Sequence, residues 1–236
     1  MVWWPGARLE WEPDSLVAEF ANRELDFEPG SQWAYSNSGY FLLGVIVQEV
    51  TGMSYPKALR EKMLSPLGLD GLIGYAFSDE VIEREAGGYQ QTVWGYRRAE
   101  PIESSVPLSA GMLYATPEGL HRWTRALHTG EVLPDSLYDA MTTAHAQNGY
   151  GYGLVNRTDT IAGHPVSLTQ HGGGINGFSS ALSYAEPDNY TIVVLDNTMS
   201  RSTGRMSTGI QHLLYGESPP PPQPSVARAL WEIVKN

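Results

Sequence analysis

Cysteine is absent from this 236-residue sequence, lysine occurs only three times, and apolar runs are short. The lack of cysteine excludes a disulfide scaffold, thiol catalysis and cysteine-ligated zinc, and it leaves the redox compartment undetermined. The formal net charge of −11 excludes the basic surface that binders of nucleic acid or anionic membranes require. The longest apolar run, residues 41–47, is far shorter than the ~20 residues that span a bilayer.

The first residues contain neither the basic segment nor the apolar stretch of a signal peptide. A chain expressed as given is therefore expected to stay in the cytoplasm, and nothing else in the sequence specifies a compartment. Apolar residues make up 42% of the chain, which is enough for a substantial core. At this length we expect one large domain.

Helical and extended patterns occupy different parts of the chain. Apolar residues recur at helical spacing from Tyr40 to Val50, and further helical patterns begin at Thr116-Pro117 and near Pro134. After Gly149 the pattern becomes that of strands, which we expect at 152–156, 164–170, 178–184 and 190–195, followed by a helix at about 203–214. This order predicts an α+β fold with an antiparallel sheet.

Several finer features are also predicted from local signals. A short helix is expected to begin at Asp14-Ser15, and residues 71–107 are expected to be irregular. Residues 191–195 are continuously apolar, which is typical of a central strand covered on both faces. We assign residues 1–216 to the domain, and residues 217–236 to a proline-rich linker with a short terminal helix.

Two short motifs could carry chemistry. In Tyr35-Ser36-Asn37, a phenol and an amide two residues apart at a helix entrance can face one cavity; alternatively, Asn37 caps the helix and Tyr35 packs. In His171-Gly172-Gly173-Gly174, glycines after a strand can let a substrate approach the backbone; alternatively, they form a flexible turn.

These motifs, with Ser109-Ala110-Gly111 between them, resemble in their order the serine β-lactamase family in its broad sense. That family includes class C β-lactamases, DD-peptidases and β-lactamase-like esterases. The resemblance covers roughly Trp3 to Leu214. It implies a penicillin-binding-protein-like fold, with an antiparallel sheet flanked by helices beside a helical region, here lacking the N-terminal helix and the first strands.

The resemblance also implies roles for particular residues. Tyr35 and Asn37 match the family's Tyr-x-Asn motif, which provides a proton relay and a substrate contact. His171 and Gly173 match the third motif, which edges the substrate pocket.

Two neighbouring glycines complete this set. Gly172 lies beside the third motif as a substrate-binding residue, and Gly174 matches the position whose backbone N–H completes an oxyanion hole. The implied reaction is cleavage of a lactam, peptide or ester bond through an acyl-serine, with no cofactor and no metal. The expected partner is a small-molecule or peptide substrate, not nucleic acid.

The family's nucleophile motif, Ser-x-x-Lys, stands several dozen residues before Tyr-x-Asn, but only 34 residues precede Tyr35 and none is lysine. We therefore expect a chain truncated on its N-terminal side that is weak or inactive alone. Ser54 and Lys57 do form a Ser-x-x-Lys after Tyr35, and they are the candidate nucleophile pair of a weak esterase. Ser54 is better explained as a helix cap. A further alternative is a binding module that uses the same cleft without turnover.

Two physical consequences follow from the expected truncation. Without a neighbouring lysine, Tyr35 is predicted to stay protonated near neutral pH, because the pKa of a free tyrosine is about 10. Without the first strands, the strand at 190–195 is predicted to present a bare edge. Such an edge predicts a homo-oligomer, a domain swap or a complementing N-terminal fragment.

Overall fold

A computed structural model describes residues 8–219 except 78, 80, 187 and 201. Its helices are α1 (Pro13–Ala21), α2 (Asn37–Thr51), α3 (Tyr55–Leu59), α4 (Pro117–His128), α5 (Asp135–Thr142) and α6 (Thr203–Leu214). Its strands are β1 (Ile73–Tyr75), β2 (Tyr89–Thr92), β3 (Gly95–Arg98), β4 (Leu113–Ala115), β5 (Val155–Ile161), β6 (His164–Ile175), β7 (Phe178–Ala185) and β8 (Tyr190–Asp196). Short helical turns occur at Arg60–Leu64, Leu108–Ala110 and Gln147–Gly149.

The main sheet is antiparallel and has the strand order β5-β6-β7-β8. Two smaller antiparallel pairs, β1 with β4 and β2 with β3, lie outside it. Helices precede the main sheet, and α6 follows it. The predicted α+β class with an antiparallel sheet is therefore confirmed.

Helices α4 and α6 cover opposite faces of the main sheet. His128 of α4 stacks on Tyr184 of β7, with ring centroids 3.9 Å apart. The Ser207 hydroxyl of α6 lies 3.1 Å from the hydroxyl of Ser183. Because successive side chains of a strand point to opposite faces, these two contacts place one helix on each side of the sheet.

Separate apolar clusters stabilise the two parts of the molecule. On the sheet, Ile161, Val166, Leu168 and Ala185 form one cluster that Tyr215 closes after α6. In the helical part, α1 and α2 pack with the turn at Leu108–Ala110 through the buried side chains of Leu16, Phe41 and Leu108. The second cluster holds the beginning of α2 in place, and that is where the first motif lies.

Local signals predicted several helix ends correctly. Thr116 caps α4, because its side chain accepts a hydrogen bond from the Gly119 N–H at 3.0 Å. Gly52 ends α2 in the left-handed conformation that favours glycine, with φ of 63°. Helix α6 has the predicted bounds.

Other local predictions were wrong. Helix α1 begins at Pro13 after Glu12, one residue before the predicted Asp14-Ser15 entry, because proline suits the first helical turn. Residues 71–107 are not irregular throughout, since they contain β1 and the β2–β3 hairpin. That hairpin lacks alternating apolar residues because both of its strands are largely exposed.

The main sheet differs from the prediction at one edge strand and agrees with it in part at the other. Strand β5 begins at Val155 rather than at residue 152. Within the described residues strand β8 is an edge strand, which agrees with the predicted bare edge and not with the central position that its apolar pattern indicates. The pattern reflects cover on both faces, as predicted, because α4 and α6 both pack against this strand.

The predicted linker and terminal helix lie outside the described residues from position 220 onward. Among the helices that the structure does describe, none has both the length and the apolar character needed to cross a bilayer.

Candidate active site

Three distant segments bring aromatic side chains together beside the second half of β6. Tyr35 precedes α2, Tyr150 precedes β5, and His171 lies within β6. The ring centroid of Tyr35 is 6.1 Å from that of Tyr150 and 6.1 Å from that of His171. The two sequence motifs therefore face each other across a single site, and Tyr150 joins them.

The loop that carries Tyr150 is packed too tightly for side chains at two of its positions. A Cβ on Gly149 would lie 1.9 Å from the backbone oxygen of Asn156, and one on Gly151 would lie 2.3 Å from that of Met141. Gly149 also has φ of 77°, which favours glycine. The Tyr150 carbonyl accepts hydrogen bonds from the backbone N–H groups of residues 145 and 146.

A chain of hydrogen bonds links α2 to β6 through Tyr150. The hydroxyls of Tyr40 and Tyr150 are 2.7 Å apart, and the Tyr150 hydroxyl is 3.4 Å from Nε2 of His171. On the other side of the ring, Nδ1 of His171 lies 2.6 Å from the Gly172 carbonyl oxygen. Because a carbonyl can only accept, Nδ1 carries a proton, so that in the neutral form of the ring Nε2 accepts from Tyr150.

Tyr35 is the most accessible phenol of this group, with 47% of its surface exposed. Partial burial, together with the neighbouring Tyr40, raises its pKa above the ordinary tyrosine value. The phenol is therefore neutral at pH 7, as the sequence predicted. Burial and the bond to Tyr40 likewise raise the pKa of Tyr150.

The glycines after His171 do not form a flexible turn; they continue β6 as extended strand. Gly172, Gly173 and Gly174 pair with Ala181, Ser180 and Ser179 of β7. A two-residue loop, Asn176-Gly177, then closes the hairpin at the pair Ile175–Phe178.

One edge of this glycine segment, residues 172–174, is open. Strand β5 pairs with β6 only up to Gln170, so among the described strands the glycine segment pairs with β7 alone. Hydrogen-bonded and non-hydrogen-bonded pairs alternate along an antiparallel ladder, starting from the bonded pair that closes the loop. The backbone groups of Gly172 and Gly174 consequently point away from β7. The bond from the His171 ring to the Gly172 carbonyl agrees with this direction.

Asn37 is the first residue of α2 and is exposed at the same helix entrance as Tyr35. The helix cap is Ser36 rather than Asn37, since the Ser36 side chain accepts a hydrogen bond from the Gly39 N–H at 3.1 Å. The Asn37 side chain is therefore not committed to capping. The positive end of the α2 dipole also points toward this entrance.

Ser54 and Lys57 lie at the other end of α2. The Tyr55 N–H donates to the Gln48 side chain, which places α3 beside the last turn of α2. From Asn37 to Gln48 the helix rises about 16 Å at 1.5 Å per residue. Lys57 is exposed, and its Nζ lies 3.9 Å from Glu61. The structure thus does not bring this pair to Tyr35 and His171, and the Ser54 side chain makes no capping bond.

A cleft of about 390 Å³ opens beside the aromatic cluster, between residues 30–33 and residues 144–147. Trp33 lines it and also packs on Tyr150, with ring centroids 4.9 Å apart. His145 lines the opposite wall and stacks on Tyr152. Trp33 is therefore shared between the cleft wall and the aromatic cluster.

Sequence reasoning missed Tyr150. A signal was present, because the segment Asn148-Gly149-Tyr150-Gly151-Tyr152-Gly153 alternates glycine with aromatic residues just where the pattern changes to strands. Its meaning depends on partners 110 and 21 residues away in sequence, Tyr40 and His171. Within the described residues, no group of three or more His, Asp or Glu side chains could hold a metal ion.

The sequence is similar to known proteins over most of its length. The family described as Beta-lactamase matches residues 2–216. Penicillin-binding protein 4* of Bacillus subtilis is 28% identical over 209 residues, which are 81% of this chain and 46% of that protein. A D-aminopeptidase of Gluconobacter oxydans is 28% identical over 184 residues, or 75% of this chain and 34% of that protein. The chain thus spans less than half the length of these two relatives.

Solved structures agree with the sequence comparison. A D-stereospecific amidohydrolase from Streptomyces sp. superposes with a TM-score of 0.71 at 28% identity, covering 82% of this chain and 58% of that one. An octameric penicillin-binding protein homologue from Pyrococcus abyssi superposes with a TM-score of 0.78 at 24% identity, covering 99% and 53%, which shows the same fold. From the match over residues 2–216, we conclude that this chain belongs to the β-lactamase family.

Proposed function

We propose that the chain supplies the proton relay and the oxyanion-binding side of a serine hydrolase that cleaves amide, peptide, ester or lactam bonds through an acyl-serine. The observation that carries the proposal is the meeting of Tyr35 and His171, whose ring centroids are 6.1 Å apart beside the open edge of the glycine segment. Family membership supports the same reaction class.

Each part of the site has a task in this reaction. Attack by a serine oxygen on the acyl carbon breaks the bond to the leaving group, and the serine proton must reach the leaving atom. A neutral Tyr35 phenol can donate that proton and take the serine proton in return. The N–H of Gly174, which points away from β7, can donate to the oxygen that gains charge. Asn37 can orient the substrate amide at the same helix entrance.

The nucleophile in this proposal comes from a segment that is not in this sequence. The one Ser-x-x-Lys of the sequence, at Ser54 and Lys57, lies at the far end of α2. This chain spans less than half the length of the two relatives described above, which supports a contribution from elsewhere in the whole protein.

Amides of D-configured amino acids are the substrate class to test first. Two similar proteins carry names that specify such substrates, the D-aminopeptidase at 28% identity and the D-stereospecific amidohydrolase at 28%. The cleft beside Trp33 has aromatic and uncharged polar walls, with room for a neutral substituent of the substrate.

The test compares hydrolysis of D-alanine p-nitroanilide, its L-isomer, a chromogenic cephalosporin and a short nitrophenyl ester by the whole protein that contains this chain. We expect Tyr35→Phe to lower kcat about 10²- to 10⁴-fold. His164→Ala is the matched control, because His164 is exposed at the opposite end of the same strand. An undiminished kcat in Tyr35→Phe, or no turnover of any substrate by the unmodified protein, would contradict the proposal.

A mass measurement tests the origin of the nucleophile. The chain alone should form no acyl adduct with the cephalosporin or the ester. An adduct that disappears in Ser54→Ala would show that the nucleophile lies at Ser54 instead.

The proposal also includes a partner for the outer edge of β8. This strand has no neighbour on that side among the described residues, and unpaired edges recruit other strands. The octameric state named for the Pyrococcus abyssi homologue supports self-association as one form of such pairing. Light scattering should detect an oligomer that Leu195→Lys weakens, since Leu195 is 41% exposed on this strand. A monomer at all concentrations would contradict self-pairing.

A further inference from the structure

The aromatic cluster contains a residue whose position suggests more than packing. Tyr150 is only 8% exposed, and it contacts a side chain from each of the segments that form the site. Trp33 packs on its ring, Tyr40 bonds its hydroxyl, and the same hydroxyl reaches His171. Both motifs therefore depend on the placement of one tyrosine.

The direction of the hydrogen bonds in this chain is determined. The Gly172 carbonyl has only lone pairs, so it takes the Nδ1 proton of His171. The neutral ring then offers a lone pair at Nε2, to which the single hydroxyl proton of Tyr150 is donated. The Tyr150 oxygen in turn accepts the proton of Tyr40. No other assignment of protons satisfies all three contacts while His171 is neutral.

We infer that Tyr150 is a positioning residue that holds His171 in the Nδ1–H tautomer and, through the Gly172 carbonyl, orients the glycine segment. Because the His171 ring donates to the peptide that joins Gly172 to Gly173, a rotation of the ring would also turn that peptide. Tyr150 thereby couples the first motif to the open edge that faces the substrate.

This arrangement also determines which side chain of the site can exchange a proton with a substrate. Nε2 of His171 is occupied by the Tyr150 hydroxyl, so it is not available as a base toward a substrate. Tyr35 has no hydrogen-bond partner among the described residues and is half exposed. The relay in the proposed reaction therefore runs through Tyr35, and His171 forms a fixed wall of the site. This part of the inference rests on the proposed function, whereas the tautomer of His171 does not.

Nitrogen-15 NMR of the ring nitrogens tests the tautomer in the chain as it exists, without any substrate. At pH about 8.5, roughly two units above the ordinary pKa of histidine, imidazoles are largely neutral and the protonated nitrogen can be assigned. We expect His171 to carry its proton on Nδ1. We expect His145 to show the opposite tautomer, because its Nε2 lies 2.7 Å from the Ala140 carbonyl oxygen. His145 thus serves as an internal reference in the same spectrum.

The variant Tyr150→Phe removes the hydroxyl and keeps the ring that Trp33 and Tyr35 contact. We expect the Nε2 resonance of His171 to shift and part of the population to move its proton to Nε2. Tyr152→Phe is the matched control, because Tyr152 is exposed and stacks on His145 instead. Unchanged His145 resonances in Tyr150→Phe would show that the fold is retained.

Two results would overturn the inference. One is a proton on Nε2 of His171 in the unmodified chain, and the other is a His171 spectrum that is identical in Tyr150→Phe and the unmodified chain. If Tyr150→Phe does not fold, Tyr40→Phe provides the second variant. It should shift the Nε2 resonance less, because Tyr150 can still donate, and an unchanged Nε2 resonance there would count against the proposed chain of bonds.

In the whole protein, Tyr150→Phe should lower kcat about 10- to 100-fold and change KM less than about twofold, because a misplaced group affects the transition state more than binding. A shifted tautomer without any turnover in the unmodified protein would refute the proposed function and leave the positioning role intact. Turnover that is unchanged in Tyr150→Phe, despite a shifted tautomer, would refute the catalytic part of the inference.

Discussion

The two halves of β6 differ in packing and in chemistry. In residues 164–170 the strand pairs with β5 throughout and with β7 from Leu168 onward, and Val166 and Leu168 are 1% and 2% exposed. In residues 171–175 it pairs with β7 alone among the described strands, and three consecutive glycines are exposed. One strand thus stabilises the core with its first half and forms the candidate site with its second. Because the first half of β6 is packed tightly in the core, the direction of the strand stays fixed where one edge of its second half is unpaired.

Leu168→Ala should have the largest effect, because it removes a fully buried side chain from the first half. We expect the free energy of unfolding to fall by about 2–5 kcal/mol, from lost apolar burial and the cavity left behind. Urea denaturation measures this change. A loss below about 1 kcal/mol would contradict the view that the first half anchors the strand.

Gly149→Ala tests the support of the second half by the Tyr150 loop. The added Cβ would lie 1.9 Å from the Asn156 backbone oxygen at a φ of 77°, so we expect a loss of about 1–3 kcal/mol in unfolding free energy. Gly163→Ala is the control, because Gly163 has φ of 80° and no atom within 4 Å of its added Cβ. Equal losses in the two variants would show that backbone conformation alone is responsible.

The packing over the first half should respond to pH through His128. Burial, with Arg125 nearby, lowers the pKa of His128 to about 4, and its ring contacts Tyr138 and Tyr184. Between pH 4 and about 6.5 the unfolded chain binds a proton that the folded chain does not. Stability should therefore rise with pH across this window, by at most about 1.4 kcal/mol per unit, and level off above it.

Urea titrations of the unmodified chain and of His128→Gln at pH 5 and pH 7 measure this contribution. In the variant, the difference in unfolding free energy between pH 5 and pH 7 should be smaller than in the unmodified chain. The difference that remains comes from other titratable groups. Identical pH dependence in both proteins would rule out His128 as a source.

Gly174→Ala should have the smallest effect on stability. Its added Cβ meets nothing within 4 Å, so the unfolding free energy should change by about 0.5 kcal/mol or less. Gly173→Ala sharpens the comparison, because its Cβ would lie 2.3 Å from the Ser180 hydroxyl oxygen, which must then move. A larger loss in Gly174→Ala than in Gly173→Ala would contradict the described open edge.

Features set by neighbouring residues were predictable from the sequence, and features set by distant contacts were not. The cap at Thr116, the end of α2 at Gly52 and the bounds of α6 depend on a few adjacent residues, and all were predicted. The order of the motifs also indicated the family and the meeting of Tyr35 with His171.

The β2–β3 hairpin was missed because its exposed strands lack an apolar pattern. The sequence alone does not distinguish a binding site from a flexible turn at the glycines after His171. Their extended conformation depends on pairing with β7, which is distant information. Tyr150 was missed because its role comes entirely from side chains that the fold brings to it.

The length of β6 has a consequence for isotope exchange. Twelve residues at about 3.4 Å each make a strand of roughly 40 Å that runs from the core into solvent. Amide deuteration should therefore form a gradient along a single strand, slow at Val166 and Leu168 and fast at Gly172 and Gly174. A bound inhibitor that occupies the open edge should slow exchange at Gly172 and Gly174 and leave exchange at Val166 and Leu168 unchanged. The exchange rates along β6 would then show where the ligand binds.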